Sequence, residues 1–325
     1  MSTIVITQRR SLLCLALLAA AVGCAAPTDD NQGDDAESES DALNSGGTVH
    51  IGNATNFSGQ GDRAHGAIGA CGVPEGMLDS QNYVALNVQD TPRDYGGGLQ
   101  RPIPSSQASK IGAYDNGRNC GRFMRVTIED RCSGVNDGAN GQPFCRGGKG
   151  FVDDPHKDAA LNMIVSDSCQ DGNAWCRDDP NHIDLHTSAL QRFYQGGREV
   201  DVGKGWTNDR VKWQYRRAPR YQGDVRLAFA QNAFAYYPAL IVAHLDNGIH
   251  GVLQEGDDGK FTPVPHNGDQ GQVFVLRPAK AFRIKVIDAE GKELHGGRVY
   301  SFHLPSSCEG RCKPFFTDVP YTTGS

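Results

Sequence analysis

Short runs of alternating apolar and polar residues, each cut off within a few positions by Gly, Pro, Asp or Asn, restrict this chain to a β fold. The runs are "NYVALNV" (82–88), "RFMRVTIED" (122–130), "LNMIVSD" (161–167), "VKWQYRRAP" (211–219), "ALIVAHL" (239–245), "QVFVL" (272–276) and "FRIKVID" (282–288). A period of two sends successive side chains to opposite faces, which suits strands half-buried against a core. Glycine supplies 40 of the 325 residues, and long stretches of helical period are scarce. One segment reads as a helix: "LHTSALQRFYQGG" (185–197) has Thr187 or Ser188 as cap, Leu190 and Phe193 as stripe and Gly196 as stop.

The chain opens with the layout of an export signal over 1–23. Arg9 and Arg10 precede an apolar run of 11 residues (12–22), and small residues lead to Cys24. That run is too short to span a membrane, which takes about 20 residues. "AVGC" (21–24) resembles a lipobox, with Ala21 where leucine is usual, and would make Cys24 an acylated first residue. Ordinary cleavage nearby and release of a free protein is the other reading. Residues 24–47 are acidic, carry Gly and Ser and have almost nothing to bury, so they read as a disordered tether. The remainder is close to neutral. No basic patch points to nucleic acid, a membrane is met only through the lipid, and a monomer is expected.

Setting Cys14 and Cys24 aside leaves eight cysteines: Cys71, Cys120, Cys132, Cys145, Cys169, Cys176, Cys308 and Cys312. In an exported chain they imply four disulfides, whose pairing spacing alone does not fix. Cys308 and Cys312 most simply close a small loop. Zinc would want tighter cysteine pairs or regularly spaced histidines, and no cofactor is called for. Six of the eight precede "RRAPRYQGD" (216–224), and a cysteine-poor run of regular strands follows it. Two β domains are therefore expected, over 48–218 and 219–325.

Within the first, "GNATNFSGQGDRAHGAIGACG" (52–72), "YVALN" (83–87), "NCGRFMRV" (119–126), "IVSDSCQDGNAWC" (164–176), "NHIDLHTSALQRF" (181–193) and "VKWQYRRAP" (211–219) stand in order. Together they resemble the expansin family, and the chain reads as a bacterial expansin-like protein. The resemblance implies a mainly-β fold: a six-stranded double-psi β-barrel like that of family-45 endoglucanases, then an immunoglobulin-like β-sandwich that binds carbohydrate. It implies that Asp184 is the acidic residue of a polysaccharide groove, that Asp167 is the second aspartate, and that Thr55 lines the same groove. It also implies the disulfides Cys71–Cys120 and Cys169–Cys176, which leaves Cys132–Cys145. The chain departs from the family at Phe123, where a cysteine is usual, and at Cys169, where many relatives have tyrosine. The insertion 133–160 is also longer than the usual loop.

Inverting hydrolysis of a glycoside needs a carboxylic acid and a second carboxylate that activates water from the opposite face, roughly 6.5–9.5 Å away. In family-45 enzymes that second group lies in the first barrel strand. Here that stretch is "ATNFSG" (54–59), without Asp or Glu, and Asp62 falls in a Gly-rich loop. Efficient hydrolysis is not expected. The reading is non-hydrolytic binding and loosening of insoluble cell-wall polysaccharide (cellulose or a related glucan or xylan). Two other classes stay open. One is a lytic transglycosylase acting on peptidoglycan with Asp184 as its sole acid and base, which "IDLHTSA" (183–189) and the lipobox suggest. The other is a pure glycan-binding lipoprotein. His182, Asp184 and His186 alternate, so on a strand they could also converge on an ion.

In the second domain the resemblance places Tyr236 and Tyr237 of "AYYPALIVAHL" (235–245) at an aromatic platform for sugar rings, with Phe261 the nearest third member. Adjacent strand residues face opposite ways. Both tyrosines can therefore be exposed only if the strand begins or bulges there, as Pro238 allows.

Overall fold

The computed structural model describes residues 47–59, 68–96, 98–169, 174–308, 310–312 and 315–324. The expected signal, Cys24 and the tether up to residue 46 lie outside them, as does Asp62. The described residues fall within one compact unit. None of their helices is long and apolar enough to cross a membrane.

The first half is built from β1 (His50–Phe57), β2 (Tyr83–Asn87), β3 (Phe123–Cys132), β4 (Phe151–Asp153) and β5 (Ala160–Cys169). It continues with β6 (Ile183–His186), β7 (Phe193–Gln195), β8 (Arg198–Val200) and β9 (Arg210–Arg216). Six of these close a ring, β3-β9-β1-β6-β2-β5, with β5 pairing back to β3. The β1–β6 and β2–β5 pairs are parallel and the other four antiparallel. This closed, mixed ring is the expected barrel. Alternation fills its interior: Ala54, Val84, Leu86, Met124, Val126, Ile128, Met163, Val165, Ile183, Leu185, Val211 and Trp213 form one buried cluster.

The helix expected over 185–197 does not form. β6 runs through His186, a 3-10 turn covers Thr187–Gln191, and β7 and β8 make a hairpin. Gly196 and Gly197, at φ 58° and 77°, form its two-residue turn. Positive φ at both central positions is what a tight hairpin requires, so the glycines reverse a strand instead of stopping a helix. Phe193, read as part of a helical stripe, is fully buried in the barrel core.

The second half packs two five-stranded sheets. Its strands are β10 (Arg226–Ala230), β11 (Ala239–Ala243), β12 (Gly251–Glu255), β13 (Phe261–Pro263), β14 (His266–Asn267), β15 (Gln270–Val275), β16 (Ala281–Ile287), β17 (Val299–His303), β18 (Phe316–Asp318) and β19 (Thr322–Gly324). The orders are β14-β15-β11-β10-β18 and β13-β12-β16-β17-β19. Leu227, Phe229, Leu240, Val242, Phe274, Phe282, Ile284 and Phe302 share the core between them. β11 is buried along its whole length, so the alternation expected of "ALIVAHL" does not hold there; at its end Ala243 lies beside Met77, Gly121 and Ile164 of the barrel half. Val73 and Met77 of the barrel half join the sandwich core. A Cβ on Gly271 of β15 would lie 1.7 Å from the Gly117 carbonyl oxygen, so the two halves meet backbone to backbone there. Four disulfides complete the frame: Cys71–Cys120, Cys132–Cys145, Cys169–Cys176 and Cys308–Cys312.

Candidate functional site

Strand register assembles the site. Thr55 pairs with Asp184 across β1–β6, Asp184 with Ala85 across β6–β2, and Ala85 with Asp167 across β2–β5. Residues in one row of a sheet point to one side. Their chain neighbours Ala54, Ile183, Leu185, Val84 and Leu86 point into the barrel. The row Thr55–Asp184–Ala85–Asp167 therefore faces outward, with a methyl group as its low point between two carboxylates. Strict alternation along β5 would have turned Asp167 inward, because Val165 is a core residue. A bulge opposite Val84 and Ala85 inserts Ser166 and restores the outward direction. The next row along, Phe57 with His186 and then Tyr83 with Ile164, is apolar, and Phe57, Tyr83 and Ile164 pack into a small buried cluster.

Each carboxylate is held by one oxygen. Asp184 Oδ1 accepts from the Thr55 hydroxyl and lies 2.8 Å from His182 Nε2. His182 Nε2 also lies 3.2 Å from Thr55 Oγ1. A carboxylate only accepts, so Nε2 carries the proton. Asp167 Oδ1 accepts the backbone N–H of Ala70 and of Ser168, each at 2.8 Å. Among the described residues the Oδ2 atoms of both aspartates have no hydrogen-bond partner. Two strand spacings put the two Cα atoms roughly 9.5 Å apart. The register thus brings the two aspartates that the resemblance implies onto one outward row, while β1 itself, HIGNATNF, carries no acid.

Burial pushes the Asp167 carboxyl above its ordinary value, and the Asp184 charge adds to the rise. The Ala70 and Ser168 N–H groups and the Arg101 guanidinium oppose it. A raised acid favours the folded state at low pH, and that contribution is lost as pH rises through the folded-state value. Asp167→Asn keeps an oxygen for both N–H groups and stays neutral. Its melting temperature should match wild type near pH 3 and exceed it at pH 7, as thermal melts at the two pH values would show.

Arg101 ties this edge of the row to the second half. Its Nε donates to Asp269 on the β14–β15 turn at 2.5 Å, and one terminal nitrogen donates to Ser168 Oγ at 3.0 Å.

Of the three residues considered as a metal trio, His186 leaves the group. Its Nδ1 lies 2.8 Å from Ser188 Oγ, and its ring meets Phe57 and Tyr83 edge-on. His182 and Asp184 instead lie with Cys169 and Cys176, all four offering ligand atoms within 4.8 Å of one another. Both sulfurs are joined in a disulfide, so the set does not present thiolates.

In the sandwich, Tyr236 is 82% exposed and Tyr237 39%. β11 begins at Ala239, after Pro238, so neither tyrosine is bound by strand alternation. Phe234 and Tyr237 exchange backbone hydrogen bonds at 2.9 and 3.2 Å, closing a tight turn with Tyr236 at its tip. Phe234 itself was missed in the sequence; its ring lies 6.4 Å from those of both tyrosines, and Arg311 sits 5.8 Å over it. The signal was present in "FAYY", three aromatics in four residues. Phe261 is apart from this cluster, on the other sheet, with Lys285 5.1 Å from its ring centre.

The chain is similar to solved expansins. Two structures of the Clavibacter michiganensis protein, one without ligand and one a mutant in complex with cellohexaose, each share 18% identity with it. Each match covers 80% of this chain and 92% of that one, at a TM-score of 0.48. No protein-family model matches the chain, and no curated protein does.

Proposed function

We propose that the protein binds and loosens an insoluble cell-wall polysaccharide, cellulose or a related glucan or xylan, without cleaving it. The observation that carries this reading is the outward row in which Asp184 and Asp167 flank Ala85, each with one oxygen anchored and the other unpartnered. Such a row suits hydroxyl groups of a sugar ring lying over the alanine. In family-45 hydrolases the second carboxylate lies in the first barrel strand, and β1 here, His50–Phe57, has neither Asp nor Glu. An inverting cut with Asp184 as acid would therefore lack the base that this strand supplies in those enzymes.

The Phe234–Tyr236–Tyr237 turn would add a second, weaker glycan contact, since sugar rings present flat C–H faces to aromatic rings. Tyr236→Ala removes the most exposed ring and touches no core. It should weaken retention on insoluble glycan severalfold and leave the melting temperature unchanged, as depletion isotherms and thermal melts would show.

The whole reading is tested by pull-down on cellulose, xylan and peptidoglycan with product analysis of the supernatant. Retention on a plant-type glycan with no soluble sugar is expected. Released cello-oligosaccharides, or anhydromuropeptides from peptidoglycan, would overturn it in favour of an enzyme. Export and lipid attachment at Cys24 belong to the same proposal, because an insoluble wall polymer is met only outside the cell.

A further inference from the structure

His182 is fully buried, and among the described residues its Nδ1 has no hydrogen-bond partner. A histidine that presents one ring nitrogen to a functional group is usually oriented by a hydrogen bond at the other. Here that bond is missing, so ring packing must set the direction of Nε2 toward Asp184. Trp175 supplies the packing: its ring lies against the imidazole at 5.7 Å between centroids and 26° between planes. On Trp175, in turn, stacks Phe144, at 5.2 Å and 13°. Phe144 belongs to the 133–160 insertion and adjoins Cys145, which the disulfide to Cys132 pins to the end of β3.

The insertion is docked for this contact. The Ala174 N–H donates to the Gly138 carbonyl at 2.9 Å, and the Gly141 N–H to the Tyr95 hydroxyl at 2.8 Å. Asn136 and Asn208 exchange amide hydrogen bonds at 2.6 and 2.9 Å. Gly138, at φ 60°, lies so close that a Cβ there would come within 2.3 Å of Trp175 Nε1.

We infer that the insertion orients the groove histidine: Phe144 acts through Trp175 as a positioning residue for His182, and so for Asp184. The effect on glycan rests on the groove reading above; the effect on the imidazole does not.

The test compares full-length, disulfide-intact Phe144→Leu, Phe144→Ala and Phe144→Tyr with wild type. Leucine keeps apolar bulk without a ring plane, so it reports even if the alanine variant fails to fold. The first readout is the ring-nitrogen NMR signals of His182, assigned with a His182→Asn variant. The second is retention on the polysaccharide bound by wild type. Leucine and alanine should shift or broaden the His182 signals and lower retention about threefold, while tyrosine restores both. His182 signals unmoved by leucine, or moved equally by leucine and tyrosine, would overturn the inference. If Asp184→Asn leaves retention unchanged, the groove reading fails, and the ring signals still decide the positioning.

Discussion

Replacing Cys71 and Cys120 together by alanine should lower the unfolding free energy by about 4 kcal/mol, the largest loss expected of any change discussed for this chain. The bridge closes a loop with a sequence separation of 49, and cross-link entropy grows with the logarithm of that length. The Cys132–Cys145 bridge, with a separation of 13, should be worth about 3 kcal/mol on the same relation. Both sulfurs of the longer bridge are fully buried. Alanine is therefore the cleaner replacement, because serine would bury a hydroxyl. The loss should also reach the groove. The Cys71 N–H donates to the Ser166 carbonyl in the β5 bulge, and the neighbouring Ala70 N–H is one of the two anchors of Asp167. Cys71 in turn accepts from the Gln272 N–H of β15, so the same short segment joins bulge, bridge and sandwich. Urea unfolding followed by tryptophan fluorescence isolates the barrel half, because Trp175, Trp206 and Trp213 all lie there. A loss no greater than that of the Cys132/Cys145 double variant would mean that loop closure is not what this bridge contributes.

How much of this was legible depends on which interactions set each feature. The strands were readable because alternation is imposed locally, by a core on one side and water on the other. "RFMRVTIED" became β3, and "VKWQYRRAP" became β9, with Val126 and Trp213 turned inward. The outward direction of Asp167 was not readable. It depends on one inserted residue, Ser166, that only the pairing with β2 reveals. The false helix at 185–197 failed for a related reason. Leu190 and Phe193 have helical spacing, but Phe193 is claimed by the barrel core, and the Gly196–Gly197 pair favours a hairpin. Tertiary burial there outweighed a local pattern barely three turns long. The importance of His182 was hidden as well. Its ring contacts Trp175 directly and Phe144 at one remove, from segments 7 and 38 positions away in the chain. No local motif encodes such a stack.

Asp184→Asn should weaken retention on the target polysaccharide about tenfold and leave the fold intact. Asparagine has the same shape, so its oxygen can still accept from Thr55 and His182 Nε2. What it removes is the negative charge on the oxygen that faces the groove. Hydrogen bonds to charged groups are worth about 1.5–3 kcal/mol, against 0.5–1.5 for neutral ones. The difference for one sugar hydroxyl is about 1.4 kcal/mol, a factor of ten in affinity. Asp184→Leu goes further: it removes the acceptor of the Thr55 hydroxyl and leaves the buried His182 N–H only the longer contact to Thr55 Oγ1, at 3.2 Å. It should therefore lose stability as well, by about 1–3 kcal/mol. The two variants separate a binding role from a structural one. Reduced retention in asparagine at an unchanged melting temperature locates glycan contact at the carboxylate. Reduced retention only in leucine, together with its lower melting temperature, would mean that Asp184 serves the barrel alone. The glycan would then be held elsewhere, with the Phe234–Tyr236–Tyr237 turn the first place to look. Binding isotherms on insoluble glucan, measured on samples whose melts are recorded in parallel, decide between the two.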